Sequence, residues 1–370
     1  MKPTPARSVA LPALVMVLSV TSAPLAAQAS ADTTLTVRFG VFVDAYYAYD
    51  SGRPVTFDRS FTTQPARANE FNVNLAHIEA RLAGDQLRGR LALQAGTSVH
   101  SNYTGEPTNG SVSGPALARH LQEAYVGYQV SPALWVDAGI FFSNAGAEGW
   151  VSADNLTYTR SLVADFSPYY STGVRATWQA TPRLTARLDV INGWQNISET
   201  NDDKAVGTRL DFTVRDGVTL SHYAYAGNEV GGRFRLFTGA SVVAAVSGRV
   251  RLLVQVDVGQ QERVAGGATD AWTGGVAAAR WQLSRRTALV ARGEWYNDPA
   301  EVIITTGAGV PSFRARGGSL GLDVSPRAGF AWRTEARLLS TAAAVFPDRG
   351  EASGLSRSNL VLVSALTLRH

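Results

Sequence analysis

The chain has 370 residues and no cysteine, so a disulfide-stapled scaffold is excluded. Charged residues make up 17%, Lys2 and Lys204 are the only lysines, and no basic run with interleaved aromatics points to nucleic acid. The formal net charge of +4 halves if the N-terminal segment carrying Lys2 and Arg7 is removed, so the high isoelectric point does not argue for a polyanionic partner.

Residues 1–29 read as a secretory signal peptide: Lys2 and Arg7 form a positive start, Val9 to Val20 an apolar core, and Ala27-Gln28-Ala29 a small-x-small cleavage site. Residues 30–370 contain no other run approaching the roughly 18 to 20 apolar residues of a spanning helix. An exported chain that enters a membrane without such a helix must do so as a closed barrel, because only helices and barrels satisfy every backbone group in lipid.

Sixteen alternating segments follow, at 35–49, 69–84, 87–101, 119–131, 133–143, 170–180, 183–195, 205–215, 218–229, 233–247, 249–263, 268–283, 286–297, 313–325, 328–342 and 357–369. Most are twice the length of an ordinary soluble strand of about 5 or 6 residues. Tight breakers join pairs of them at Gly84-Asp85-Gln86, Ser131-Pro132, Thr181-Pro182, Asp216-Gly217, Ser247-Gly248, Ser284-Arg285 and Pro326-Arg327. Longer links rich in Gly, Pro and Asn separate those hairpins, for example 51–68, 102–118, 298–312 and 343–356. The expected fold is therefore all-β: a transmembrane antiparallel β-barrel of sixteen strands with short periplasmic turns and long extracellular loops.

Alternation is cleanest where Leu252, Val254, Val256 and Val258 oppose Arg251, Gln255 and Asp257. Trp135, Trp178, Trp281 and Trp332 near the short turns, with Phe142, Trp194 and Trp295 near the long loops, suggest two interfacial girdles. Two segments break phase. Between Phe71 and Leu82 the apolar parity slips, which a β-bulge near Ala76 would restore. Arg314 and Arg316 share parity with Leu320 and Leu322, which implies either a bulge at Gly317-Gly318 or arginines at headgroup level.

The longest aperiodic stretch, 144–169, follows the fifth strand, and a loop of that length inside a compact domain is normally functional. We expect it to fold into the lumen and narrow it, presenting Glu148, Asp154, Arg160 and Asp165 at the constriction. The facing pore wall would carry Arg38, Asp44, Glu79, Arg81, Arg90, Glu123 and Asp137. Opposed rows of acid and base across a gap order water and disfavour apolar solutes. Arginines outnumber carboxylates on the inferred inner face, which predicts a weak anion preference.

No catalytic site is expected. The five histidines are scattered, and neither a metalloprotease helix motif, a nucleophile elbow nor a phosphate-binding glycine loop occurs. No cofactor or metal is implied.

Several stretches together resemble the OmpL-like family of β-barrel porins: Gln122-Glu123-Ala124-Tyr125-Val126-Gly127, Trp135 to Phe141, Asp154-Asn155, Thr159-Arg160-Ser161-Leu162, Ser167-Pro168-Tyr169-Tyr170 and Asn192-Gly193-Trp194. The likeness is strongest from about Asn69 to Trp194. It implies an outer-membrane pore in contact with outer-membrane lipid and passing small hydrophilic solutes by passive diffusion. Sixteen-stranded porins often form homotrimers, although no segment here marks a subunit interface. Outer-membrane strands often finish on an aromatic residue, whereas this chain finishes Leu366-Thr367-Leu368-Arg369-His370. The competing reading is a plugged barrel with a structural or adhesive role carried by its surface loops.

Overall fold

The computed structural model describes residues 35–307, 312–351 and 353–370; the segment read as a signal peptide lies outside the described residues. The strands are β1 (Thr36–Asp50), β2 (Phe71–Ala83), β3 (Leu87–Ala95), β4 (Leu121–Ser131), β5 (Leu134–Phe142), β6 (Tyr170–Thr181), β7 (Leu184–Ile191) and β8 (Ala205–Arg215). They continue with β9 (Val218–Glu229), β10 (Arg233–Ala245), β11 (Val250–Glu262), β12 (Thr269–Gln282), β13 (Thr287–Asp298), β14 (Phe313–Arg327), β15 (Phe330–Thr341) and β16 (Ser358–Arg369). Each pairs antiparallel with its neighbours, and β1 pairs with β16, so the sixteen strands close into one barrel. The seam is extended by His370, whose backbone exchanges hydrogen bonds with that of Val41 at 3.0 and 3.1 Å.

Alternation sets the two faces as expected. On β11, Leu252, Val254, Val256 and Val258 are exposed to the outside, whereas Leu253, Gln255 and Asp257 are buried within. Trp178, Trp281 and Trp332 ring the outside near the short turns and Trp295 lies outside near the long loops. Three expected girdle members point inward instead. Trp135 lies under Arg88, Phe142 under Arg90, and Trp194 packs against Tyr225 and Phe237. Proximity to a strand end does not reveal which face a ring takes; parity relative to inward Asp137 does so for Trp135.

The β2 bulge exists, two residues earlier than expected. Register slips between Asp44 and Ala45 so that Asn74 is unpaired, and Leu75 is already turned inward and fully buried. The carbonyl that leaves the ladder is satisfied by Ser98, whose hydroxyl donates to Asn74 O at 2.6 Å. That bond explains why the third strand stops at Ala95: Gly96 (φ +140°) turns the chain into a short helix, α1 (Thr97–Tyr103), where the sequence predicts strand up to residue 101. At Gly317-Gly318 there is no bulge. Pairing of β14 with β13 and β15 runs unbroken there, so Arg314 and Arg316 face outward with Leu320 and Leu322.

Candidate pore and its constriction loop

The wall made by β3 to β8 is lined by paired charges. One row of inward positions reads Arg88, Gly127, Asp137, Arg175, Asp189 and Gly207 across six strands. Gly127 is required, since a Cβ there would lie 2.1 Å from Asp137 Oδ1 and block the reach of Arg88 across β4. Arg88 donates to Asp137 at 2.7 Å and Arg175 donates to both Asp189 oxygens at 2.8 Å. Arg90 donates to Glu79 at 2.7 Å and also to Glu123, while Arg81 donates to Glu79 at 3.0 Å. Arg209 and Arg187 share Asp211. Several of these guanidiniums stay wet: the side chains of Arg88 and Arg187 are 32% and 34% exposed. Together with Glu123, Phe142 and Thr177 they border a cavity of about 270 Å³.

The opposite wall is dry at the middle of β13 to β15. Arg292, Glu294, Glu335 and Arg337 have side chains at most 1% exposed. They meet because the inward residues of the intervening β14 are small, Gly317, Ser319 and Gly321, leaving room for Arg337 to donate to Glu294 at 2.9 and 2.8 Å. Arg292 donates to Glu335 at 3.1 Å. A buried network is tolerable only when every charge is paired and its remaining donors and acceptors are used.

The loop 144–169 supplies many of those partners, although Arg292 Nε and Arg337 Nη1 stay without a hydrogen bond. Thr159 donates from its N–H and hydroxyl to Glu335 at 2.7 and 2.9 Å, and the Leu162 N–H donates to Glu294 at 2.8 Å. Arg292 donates to the Thr159 carbonyl at 2.6 Å, and Arg333 to those of Ser152 and Leu156 at 2.6 and 2.9 Å. Leu162 also opens a one-turn helix, α2 (Leu162–Asp165), capped by Ser161. Leu156, Leu162 and Val163 sink into an apolar cluster with Trp272, Val276, Tyr296, Phe313 and Leu339. Further anchors tie the loop to Asp44 on β1, through the Ser152 and Tyr158 hydroxyls at 2.7 and 2.9 Å, and to Gln94 on β3, through the Trp150 indole at 2.9 Å. The loop thus enters the lumen from β5, and its middle is welded to the far wall.

The four loop residues expected at the constriction have unequal fates. Asp154 is exposed and accepts from Arg369 at 2.7 Å. Arg160 and Asp165 are buried: Arg160 donates to the carbonyls of Gly149 and Ala164 at 3.1 and 2.9 Å, and Asp165 accepts from Thr63 and Tyr169 at 2.6 and 2.8 Å. Glu148 accepts from the Ser161 N–H at 3.2 Å and from its hydroxyl. Removal from water pushes the Glu148 carboxyl above its ordinary range, opposed by Arg292. Three of the four charges therefore hold the loop in shape, and the expected free row of acids facing free arginines is not what forms. A second cavity of about 230 Å³ lies between the loop's two limbs, bordered by Glu148, Asp154, Arg160, Tyr169 and Arg209, and it shares Phe142 and Ser143 with the first.

The expected wall residues all face inward. Arg38 and Arg81 are opposite each other towards the short turns, Glu79, Arg90, Glu123 and Asp137 belong to the wet wall, and Asp44 is fully buried as a loop anchor. Sequence reasoning missed Arg88 and Asp323 as inward charges, and it gave the long link 51–68 no part in the lumen. Thr63 of that loop bonds Asp165, and Gln64 donates to the Trp150 carbonyl at 2.9 Å, so this loop lies directly upon the constriction loop. Within it, burial lowers the Arg59 guanidinium to about 10, with Asp50 opposing. Gln64 and Arg59 carry no periodic or motif signal that could have revealed this.

Residues 36–369 match the family described as "Putative beta-barrel porin-2, OmpL-like". No curated protein matches the chain in sequence. Among solved structures, the barrel is similar to the outer-membrane channel DcaP of Acinetobacter baumannii (9% identity, 91% of this chain and 97% of that one, TM-score 0.58). It is also similar to an anion-selective porin from Comamonas acidovorans (11% identity, 91% and 100%, TM-score 0.57) and to OmpT of Vibrio cholerae in a trimer form (7% identity, 91% and 99%, TM-score 0.57). Those identities carry the fold alone, whereas the family match spans the whole described barrel. The chain belongs to the OmpL-like β-barrel porins and is a passive-diffusion channel of the bacterial outer membrane.

Proposed function

We propose that small hydrophilic solutes pass along the β3–β8 wall, between its paired charges and the near limbs of the constriction loop, with a weak preference for anions. The observation that carries this is the contrast in hydration: the inward wall arginines bordering the two linked cavities are on this side, and on the facing wall the ion pairs of β13 and β15 are buried and apolar packing lies beside them. Towards the short turns, Arg38, Arg215 and Arg251 have no ion pair among the described residues, which leaves a positive bias at that mouth. Screening over about 8 Å in physiological salt keeps the bias mild. The export signal at 1–29 belongs to the same proposal, as does a homotrimer, for which the trimer form of the similar Vibrio protein is the support. Nothing in the proposed path calls for an enzymatic step.

A second reading is favoured by one observation. The loop 51–70 sits upon the constriction loop through Thr63 and Gln64, which would leave the barrel closed from outside unless that contact opens. Refolded protein in a planar bilayer separates the two. Stepwise current with a reversal potential on the anion side supports the open path, absence of steps supports the plugged barrel, and clear cation preference rejects the proposed path.

A further inference from the structure

Arg314 and Arg316 face outward on β14, where a porin meets lipid. Arg316 stands opposite Trp295 on β13 and Ser340 on β15, and Arg314 stands opposite Asn297. Neither guanidinium has an ion pair or hydrogen bond among the described residues. Towards the short turns the same face becomes apolar, with Leu320, Leu322 and Leu338 exposed. An unpaired arginine on the lipid face of a barrel is unfavourable in proportion to its depth and is relieved at the headgroup level by an anion. Beside the pair, the wall is hollowed. The outward positions Gly293 and Gly318 lie opposite each other with no side chain, and open space surrounds the place where a Gly293 Cβ would be. A groove of about 1160 Å³ runs from Gly293 past Gly317, walled by Trp295 and headed by the two arginines.

We propose that this groove seats a phosphate-bearing glycolipid of the outer leaflet, one acyl chain lying over Gly293 and Gly318 against Trp295 and the phosphate held by Arg314 and Arg316. Three features select this occupant. The groove is at the long-loop end, hence in the outer leaflet. Its two arginines leave one strand two residues, about 7 Å, apart on the same face, and planar forks bind phosphate oxygens bidentately. At Gly293 its floor is bare backbone, which suits a hydrocarbon chain, and the acid along it, Glu294, is held inside the barrel by Arg337 and leaves the two arginines unneutralised.

The test uses the full chain, refolded in detergent, and the double variant Arg314→Gln/Arg316→Gln. Barrel closure of both is checked by circular dichroism and by heat-dependent gel mobility. Diphosphoryl lipid A, or phosphatidylglycerol as a control anion, is added and the lipid retained per chain is read by native mass spectrometry. The expected result is retention of lipid A by the wild type, at least tenfold weaker in the variant, with phosphatidylglycerol retained poorly by both. Equal retention of lipid A by the two proteins would overturn the proposal. So would equal retention of phosphatidylglycerol, which would reduce the site to unspecific charge, or a wild-type oligomer that the variant loses without lipid, which would assign the arginines to a contact between copies. A Gly293→Leu variant, filling the floor while keeping both charges, should also weaken lipid A retention; unchanged retention there would remove the acyl-chain half of the proposal.

Discussion

The two walls of the lumen are built from the same pairs, arginine beside carboxylate, yet they do different work. On β3 to β8 two of the pairs are partly wet, the Arg88 and Arg187 guanidiniums keeping contact with water as well as with their acids. On β13 and β15 the pairs are dry and take further hydrogen bonds from the backbone of the constriction loop. The difference comes from the neighbours. A half-exposed pair in high dielectric contributes about 0–1 kcal/mol, whereas a buried pair stripped of one member leaves a charge with no solvent. Charge on one wall therefore tunes what passes, and charge on the other holds the loop.

The largest expected effect follows from that asymmetry. Glu294→Ala removes the acceptor of Arg337 and of the Leu162 N–H and should cost about 3–5 kcal/mol in urea unfolding of the reconstituted barrel. Asp137→Ala, which leaves Arg88 in contact with water, should cost under about 1 kcal/mol. Equal losses would break the distinction between the walls.

Selectivity should divide the opposite way. Asp137→Asn and Glu123→Gln should each move the reversal potential further towards anions, because an acid is lost beside the proposed path. Glu335→Gln should leave it unchanged in whatever fraction still folds. A shift at Glu335 equal to that at Asp137 would place the path on the wrong side.

Much of this architecture is legible in the sequence, and the reason is periodicity. Strand number, hairpin order and the inward parity of Arg88's neighbours Arg90, Glu123 and Asp137 follow from an alternation that lipid on one side and water on the other impose. The loop's entry after β5 is legible from its aperiodicity. What cannot be read is which charges meet. Arg292, Glu294, Glu335 and Arg337 look like ordinary wall positions until β14 is seen to present Gly317, Ser319 and Gly321 between them. Likewise Arg160 and Asp165 look free in one dimension, and only the fold of their own loop around Arg160 and the reach of Thr63 to Asp165 show that they are enclosed.

A smaller effect sharpens the account of the loop. Because Glu148 and Asp165 are tied into its fold, the triple variant Glu148→Gln/Asp154→Asn/Asp165→Asn should shift the reversal potential no further than Asp154→Asn alone. A larger shift in the triple variant would return Glu148 and Asp165 to the ion path.

The smallest effect concerns pH. Burial raises the Glu148 carboxyl, so what it contributes to loop stability is complete below the ordinary carboxyl range and declines as pH rises through the raised value. Glu148→Gln fixes the neutral form and should flatten this dependence in hydrogen exchange of the Ser161 amide. A slope that survives the substitution would assign it to another group.

The central claim, that solutes follow the β3–β8 wall, is tested most directly by thiol accessibility, which the absence of native cysteine makes clean. Thr177→Cys borders the wet cavity, and Ser319→Cys lies on the dry wall at 6% exposure. A water-soluble, bulky thiol reagent added during single-channel recording should reduce the current through Thr177→Cys and leave that through Ser319→Cys unchanged. Block at Ser319→Cys with none at Thr177→Cys would contradict the account.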